Sequence, residues 1–145
     1  MSDHERPLNK RGRGAAPRVG QLLVDVEMVP DVILCSTAQR ARETAGLVIK
    51  AADCEKSQVS YLDELYLAPP IAYFEMLGVH AGEADTVLMI GHNPGLENLV
   101  NQLTGEPASM PTAALARIEV QGWQELASQP MGQLVGHWLA RDLEN

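Results

Sequence analysis

Residues 87–95 read Val-Leu-Met-Ile-Gly-His-Asn-Pro-Gly, and they set the prediction of the fold. The apolar run predicts a buried strand over residues 86–90. A helix-start signal follows at once, with Asn93 as a candidate cap and Pro94 suited to the first helical position. Ligands bind at such strand-to-helix corners in open α/β sheets, so His92 becomes a candidate site residue.

Outward from this stretch, strand-like and helix-like segments alternate along the chain. The predicted elements are a helix over about 10–29 with Asn9 as its cap, a strand at 32–35, a helix capped by Ser36-Thr37, a strand near 59–62, a helix from Pro69-Pro70 through about Leu77, the strand at 86–90 with the helix after it, and two β-leaning runs at 115–120 and 133–139. This order predicts an α/β fold with a mostly parallel sheet and helices on both faces.

Composition limits the classes of function. With 145 residues and 46% hydrophobic residues, the chain is expected to form one globular domain over residues 1–145. The formal net charge of −8 argues against a nucleic-acid partner. Neither a signal peptide nor an apolar run of membrane-spanning length is visible, so no membrane association is expected. Two cysteines make no disulfide framework, and a cytoplasmic location is the expectation.

Arg40 is the second candidate site residue. It lies in the first turn of the helix after the strand 32–35, where its guanidinium and the unpaired helix N–H groups suit an anion such as a phosphoryl group. Arg42 is turned about 200° around the helix and is expected to face elsewhere. Two plainer interpretations stay open, namely surface ion pairs of both arginines with Glu43 and a purely structural role for His92. The sequence shows no motif for a metal or cofactor, and none is predicted.

Four motifs together resemble the histidine phosphatase superfamily, and more narrowly its SixA-type phosphohistidine phosphatases. They are Leu8-Asn9-Lys10-Arg11-Gly12, Ser36-Thr37-Ala38-Gln39-Arg40-Ala41 with Thr44-Ala45, Gly91-His92-Asn93-Pro94, and Met110-Pro111-Thr112. The resemblance covers nearly the whole chain. It implies the phosphoglycerate-mutase-like three-layer α/β/α sandwich, and a metal-independent reaction in which a phosphoryl group passes to a histidine and is then hydrolysed.

The resemblance also assigns roles to individual residues. Arg40 matches the arginine that clamps the phosphate, and His92 matches the second histidine of the pocket. Asn93, beside His92, is counted with them as a substrate-binding candidate. Glu64 stands where mutase-like relatives carry a proton donor, although a solvated turn carboxylate is an equally open interpretation. A phosphohistidine substrate needs no strong acid, because its leaving imidazole titrates near neutral pH.

The chain departs from the family pattern at its start. The family has a central strand ending in Arg-His-Gly or Arg-His-Ala before the motif that begins here at Leu8, and residues 1–7 contain no such strand. The flanks of His4 resemble the polar loop that follows that strand, so His4 is not taken as a substitute. We expect a gap in the sheet, filled by something else or by pairing with a second copy. Losing the nucleophile costs about a millionfold in turnover.

Three interpretations follow. In the favoured one, the sequence is a truncated form of an active phosphatase that acts on a phosphorylated protein of the histidine-containing phosphotransfer type. In the second, the chain is a phosphate-binding module without catalysis. In the third, it is a phosphomonoesterase for small phosphoesters.

Overall fold

Three short apolar segments form a parallel sheet with the strand order β2-β1-β3. The computed structural model describes residues 1–143. Its elements are α1 Lys10–Asp25, β1 Val32–Ser36, α2 Gln39–Ala52, β2 Val59–Leu62, α3 Pro70–His80, β3 Val87–Ile90, α4 Gly95–Thr104, β4 Leu115–Glu119 and β5 Gln133–Trp138, with 3₁₀ turns at Lys56–Gln58, Asp63–Leu65 and Ala140–Leu143. The predicted strands at 32–35, 59–62 and 86–90 are confirmed.

The last two strands form a separate antiparallel sheet. Leu115 lies opposite Trp138, and an irregularity between Arg117 and Ile118 interrupts the register. Within residues 1–143, β3 and β4 are not paired with each other. The chain therefore has the predicted α/β fold, and no strand within residues 1–143 lies between β3 and β4.

Helices cover both faces of these sheets. On one face, α1 packs against α2, and Ala16, Val19 and Leu23 form a core with Val48 and Leu115. On the other face, α3 and α4 pack together over a core that includes Tyr73, Phe74, Leu99, Val100 and Leu103. None of the helices within residues 1–143 is both long enough and apolar enough to cross a membrane.

Several predicted helix limits need correction. The helix predicted over about 10–29 ends at Asp25, because Glu27 has a positive φ of 57° and Met28 N–H turns back to the carbonyl of Leu23 at 2.7 Å. Its predicted cap is confirmed, since the Asn9 side chain accepts a 2.8 Å hydrogen bond from Gly12 N.

The other corrections concern the starts and ends of α2, α3 and α4. Ser36-Thr37 does not cap α2, whose N-cap is Ala38 without a side-chain bond, because the Ser36 side chain faces the interior. The helix α3 continues past Gly78 to His80. Pro94 is the N-cap of α4 and not its first residue.

Candidate active site

His92 and Ser36 join the carboxyl ends of β3 and β1. His92 Nε2 lies 2.8 Å from Ser36 Oγ, and both residues are buried. Ser36 Oγ also accepts a 3.2 Å hydrogen bond from Ala38 N. A buried hydroxyl proton needs an acceptor, and His92 Nε2 provides one, so we assign Ser36 as the donor. The neutral imidazole then carries its proton on Nδ1.

The charge state of His92 follows from its surroundings. Burial lowers the pKa of His92 to about 4, and the positive charge of Arg40 acts in the same direction. The imidazole is therefore neutral at pH 7. It can donate one hydrogen bond to a ligand, from Nδ1–H, while Ser36 holds the ring in place.

Two glycines let the turn that carries His92 pack closely against the α3 region. The backbone N–H of His92 donates to the buried Tyr73 hydroxyl at 3.2 Å. A Cβ atom on Gly91 would lie 1.9 Å from that hydroxyl oxygen, and a Cβ on Gly95 would lie 2.1 Å from the Ala68 carbonyl oxygen. A larger residue at Gly95 would require a shift of the backbone, and one at Gly91 would require the buried Tyr73 side chain to move.

Arg40 lies in the first turn of α2, as predicted, but its partner is Asp3 and not Glu43. Its guanidinium donates to the Asp3 carbonyl at 2.8 Å and to the Asp3 carboxylate at 3.2 Å. The Tyr66 hydroxyl donates to the same carboxylate. This hydrogen bond from Tyr66, together with the charge of Arg40, lowers the pKa of Asp3. Asp3 thus engages both the Arg40 guanidinium and the Tyr66 hydroxyl.

Arg42 faces away from Arg40, which confirms the helical-spacing prediction. Its Nε donates to the Thr37 carbonyl at 2.9 Å, and its guanidinium carbon lies 4.3 Å from the centre of the Tyr61 ring. It does not line the cavity that Arg40 lines. Arg42 is therefore a matched control for experiments on Arg40.

The N-terminal segment lies across the site and contributes residues that sequence reasoning missed. His4 Nε2 lies 2.9 Å from Thr37 Oγ1, which in turn donates to Asp63 at 2.6 Å. The Tyr66 ring makes edge contacts with His4 on one side, at 4.7 Å between centroids, and with His92 on the other, at 5.6 Å. Asp3, His4 and Tyr66 carry no local signal, because their partners lie up to 63 residues away.

Asn93 and Glu64 occupy different surroundings. The amide group of Asn93 donates to the Met110 carbonyl, and its oxygen accepts from Glu97 N at 3.3 Å. Asn93 therefore ties the segment before β4 to the start of α4. Glu64 is exposed on the turn after β2 and does not line the cavity. The substrate-binding role of Asn93 and the proton-donor role of Glu64 stay predictions.

The structure brings Arg40, His92 and Asn93 to one cavity of about 1040 Å³. A guanidinium and a neutral N–H donor at one end of this cavity suit a tetrahedral oxyanion. In residues 1–143, no three His, Cys, Asp or Glu side chains come together as a metal ion would require. Burial raises the pKa of the nearby Cys35 to about 12, so its thiol is not ionised at neutral pH.

Comparison of the sequence with known proteins finds a matching family model and similar proteins in two mycobacteria. The family model for the histidine phosphatase superfamily (branch 1) matches residues 2–68. An uncharacterized protein of Mycobacterium leprae is 31% identical over 141 residues, which are 87% of this chain and 82% of that protein. An uncharacterized protein of Mycobacterium tuberculosis is also 31% identical, over 97% of this chain and 93% of its own length.

Solved structures give the same result for the fold. A SixA protein from Nakamurella multipartitia superposes with a TM-score of 0.83 at 28% identity, over 96% of this chain and 87% of that one. The protein histidine phosphatase SixA in complex with tungstate superposes with a TM-score of 0.79 at 26% identity, over 99% and 90% of the two chains.

Proposed function

The chain belongs to the histidine phosphatase superfamily and resembles its SixA-type members, and we propose that it holds the phosphoryl group of phosphohistidine on a protein. The observation that carries this proposal is the common cavity of Arg40 and His92. A SixA relative of the same fold binds tungstate, which is a tetrahedral oxyanion like phosphate. Arg40 would bind the oxygens of the phosphoryl group, and His92 would donate to the same group through Nδ1–H.

The proposed reaction has two steps. The P–N bond of the substrate breaks as a P–N bond to an enzyme histidine forms, and the leaving imidazole takes up a proton. Water then cleaves the second P–N bond, which releases phosphate and restores the histidine. Because phosphoryl transfer depends mainly on positioning and positive charge, Arg40 and His92 suit the holding role in both steps.

We assign the role of the attacking histidine to neither of the two imidazoles near the site. His92 Nε2 is engaged with Ser36, and His4 Nε2 is engaged with Thr37. The 145 residues contain no Arg-His pair of the kind that the family uses. We therefore propose that these residues alone bind the anion but turn over phosphohistidine about a millionfold more slowly than a complete site would.

The binding role is tested with tungstate and the 145-residue chain by isothermal titration calorimetry. Arg40→Ala removes two charge-assisted hydrogen bonds and should weaken tungstate binding about 10- to 100-fold. Arg42→Ala, one half-turn away on the same helix, should leave the affinity unchanged. Equal affinities of the wild type and Arg40→Ala would refute the assignment of the site.

Turnover separates the three candidate functions. Slow release of phosphate from a phosphohistidine peptide, with none from sugar phosphates, supports the phosphohistidine phosphatase. Binding of the phosphohistidine peptide with no release supports the non-catalytic module, which the missing Arg-His pair favours for these 145 residues. Equal release from small phosphoesters and the peptide would show a phosphomonoesterase and contradict the proposed substrate.

A further inference from the structure

The cavity that ends at Arg40 and His92 continues as a long slot between the two sheets. Residues 84–93, which include β3, line one long side, and residues 110–123, which include β4, line the other. At about 3.3 Å per residue, the stretch of β3 and its flanks from 85 to 91 is about 20 Å long. A ligand that fills this slot must therefore extend over about 20 Å.

One hydrogen bond at each end of the slot links its two long sides. Trp123 Nε1, after β4, donates to the carbonyl of Ala84, before β3, at 2.8 Å. The amide of Asn93, after β3, donates to the carbonyl of Met110, before β4. The start of each strand thus lies near the end of the other, so β3 and β4 run in opposite directions along the slot.

The long sides of the slot are the edges of strands. β3 pairs with β1 on one side only, and β4 pairs with β5 on one side only, within residues 1–143. Alternate residues of each strand therefore direct backbone N–H and C=O groups into the slot. Such groups need partners, and an extended polypeptide supplies donors and acceptors at the matching spacing along both edges.

The remaining walls of the slot are apolar. Ala16, Val19 and Leu23 of α1 line one face, and Leu99, Val100 and Leu103 of α4 line the other. A strand between these faces would have its side chains buried on both sides. Its sequence should therefore be continuously apolar and not alternate between apolar and polar residues.

The two ends of the slot differ in charge. Asp85 and, at the end of β4, Glu119 line the end at the start of β3, whereas Arg40, paired with Asp3, lines the end that follows β3. Arg117 of β4 lies between these ends. A peptide with its amino group near Asp85 and its carboxylate near Arg40 matches both charges. This complementarity favours an occupant that runs parallel to β3.

We infer that this slot is a docking site for one extended apolar peptide strand, about five residues long, that runs parallel to β3 and pairs with both β3 and β4. The strand would join the two sheets into one. This interaction goes beyond the proposed function, because it requires neither phosphate binding nor turnover. Its carboxyl end would nevertheless lie beside Arg40 and His92, so the occupant would contribute its last residue to the anion site.

The test uses a synthetic peptide with two lysines at its amino end, five valine and isoleucine residues, and a free carboxylate. The peptide is added to the folded 145-residue chain and, in parallel, during refolding from denaturant. We expect a rise in Tm of several degrees that grows with peptide concentration. Amide exchange in residues 87–90 and 115–119 should slow at least tenfold.

Two control ligands test whether backbone pairing holds the peptide in the slot. A peptide with proline at its central position lacks one N–H and should give neither effect. Laurate has similar length and apolar character but no backbone groups, and it should not protect the amides of β3. The inference is overturned if the first peptide changes neither Tm nor exchange, or if the proline peptide or laurate protects the same amides equally.

Variants of the protein add an independent check. Ala116→Phe places a large side chain in the slot and should weaken peptide binding at least tenfold, whereas Ala127→Phe, at an exposed alanine outside the slot, should not. If Ala116→Phe does not fold, the comparison of the two peptides still decides. Arg40→Ala should weaken tungstate binding about 10- to 100-fold but peptide binding much less, because backbone pairing along β3 and β4 remains. A loss confined to one of the two ligands distinguishes a failure of this inference from a failure of the proposed function.

Discussion

β1 and β3 are neighbouring strands of nearly identical character, yet their burial differs. Residues 32–35 read Val-Ile-Leu-Cys and residues 87–90 read Val-Leu-Met-Ile. Ile33, Leu34 and Cys35 are fully buried, whereas all four residues of β3 keep intermediate exposure. The difference arises because β1 has a strand on each side, while one edge of β3 faces the slot. Apolar composition thus predicts a strand's tendency to be buried, but the presence of neighbours determines how far it is buried.

The same contrast extends to the two halves of the site. Arg40, which follows β1, has its guanidinium engaged by Asp3. His92, which follows β3, is bound through Nε2 to Ser36, and the part of the chain described by the structure offers no hydrogen bond to its Nδ1. On the β1 side of the site, the Arg40 guanidinium is therefore engaged within the chain. On the β3 side, the Nδ1–H of His92 is available to a ligand.

The largest expected effect is on stability and compares the same substitution in the two strands. Leu34→Ala creates a cavity in a filled core and should cost about 3 kcal/mol in the free energy of unfolding. Leu88→Ala, at a half-buried residue that lines the slot, should cost only about 1 kcal/mol because fewer contacts are lost than at Leu34. Urea denaturation of the two variants and the wild type measures both values.

The strand peptide sharpens this comparison. With the slot occupied, the cost of Leu88→Ala should rise toward that of Leu34→Ala. Equal costs of the two variants in the absence of peptide would contradict the view that β3 has an open side.

The sequence predicted the strands well because short apolar runs between turn residues are local signals. It could not predict the end of α1, since the turn at Glu27 depends on a positive φ that the residue type does not favour. It also assigned Ser36 to a helix cap, although Ser36 pairs with His92 from 56 residues away.

Similarly, the alternative in which Arg40 pairs with Glu43 rested on sequence proximity, and the contact with Asp3 forms only when the N-terminal segment folds across the site. Interactions between distant segments therefore account for what sequence reasoning missed.

A second prediction concerns pH and the bond that joins the ends of β1 and β3. The pKa of His92 is about 4 in the fold, against about 6.5 when the chain is unfolded. Between these values the unfolded chain binds more protons, so stability should fall as the pH drops from about 6.5 to about 4 and then depend no further on His92. Allowing for solvent screening in the open cavity, the loss is on the order of 2 kcal/mol.

Urea denaturation at several pH values measures this loss. His92→Gln should remove this part of the pH dependence, whereas His80→Gln, at the carboxyl end of α3, should leave it in place. An unchanged pH profile in His92→Gln would show that the end of β3 is not held in the buried, neutral state described above.

The smallest expected effect tests whether the β1 half of the site is closed by its own chain. In Asp3→Asn the charge that holds Arg40 is lost, so a tetrahedral anion no longer competes with a carboxylate for the guanidinium. Because the Asp3–Arg40 pair is partly exposed and worth little by itself, tungstate affinity should rise only about 3- to 10-fold. Glu5→Gln, which changes the charge by the same amount in the same segment but touches Ser2, is the matched control and should have no such effect. If both variants raised the affinity equally, the gain would come from the change in net charge. The pairing of Arg40 with Asp3 would then not explain a difference between the β1 and β3 sides of the site.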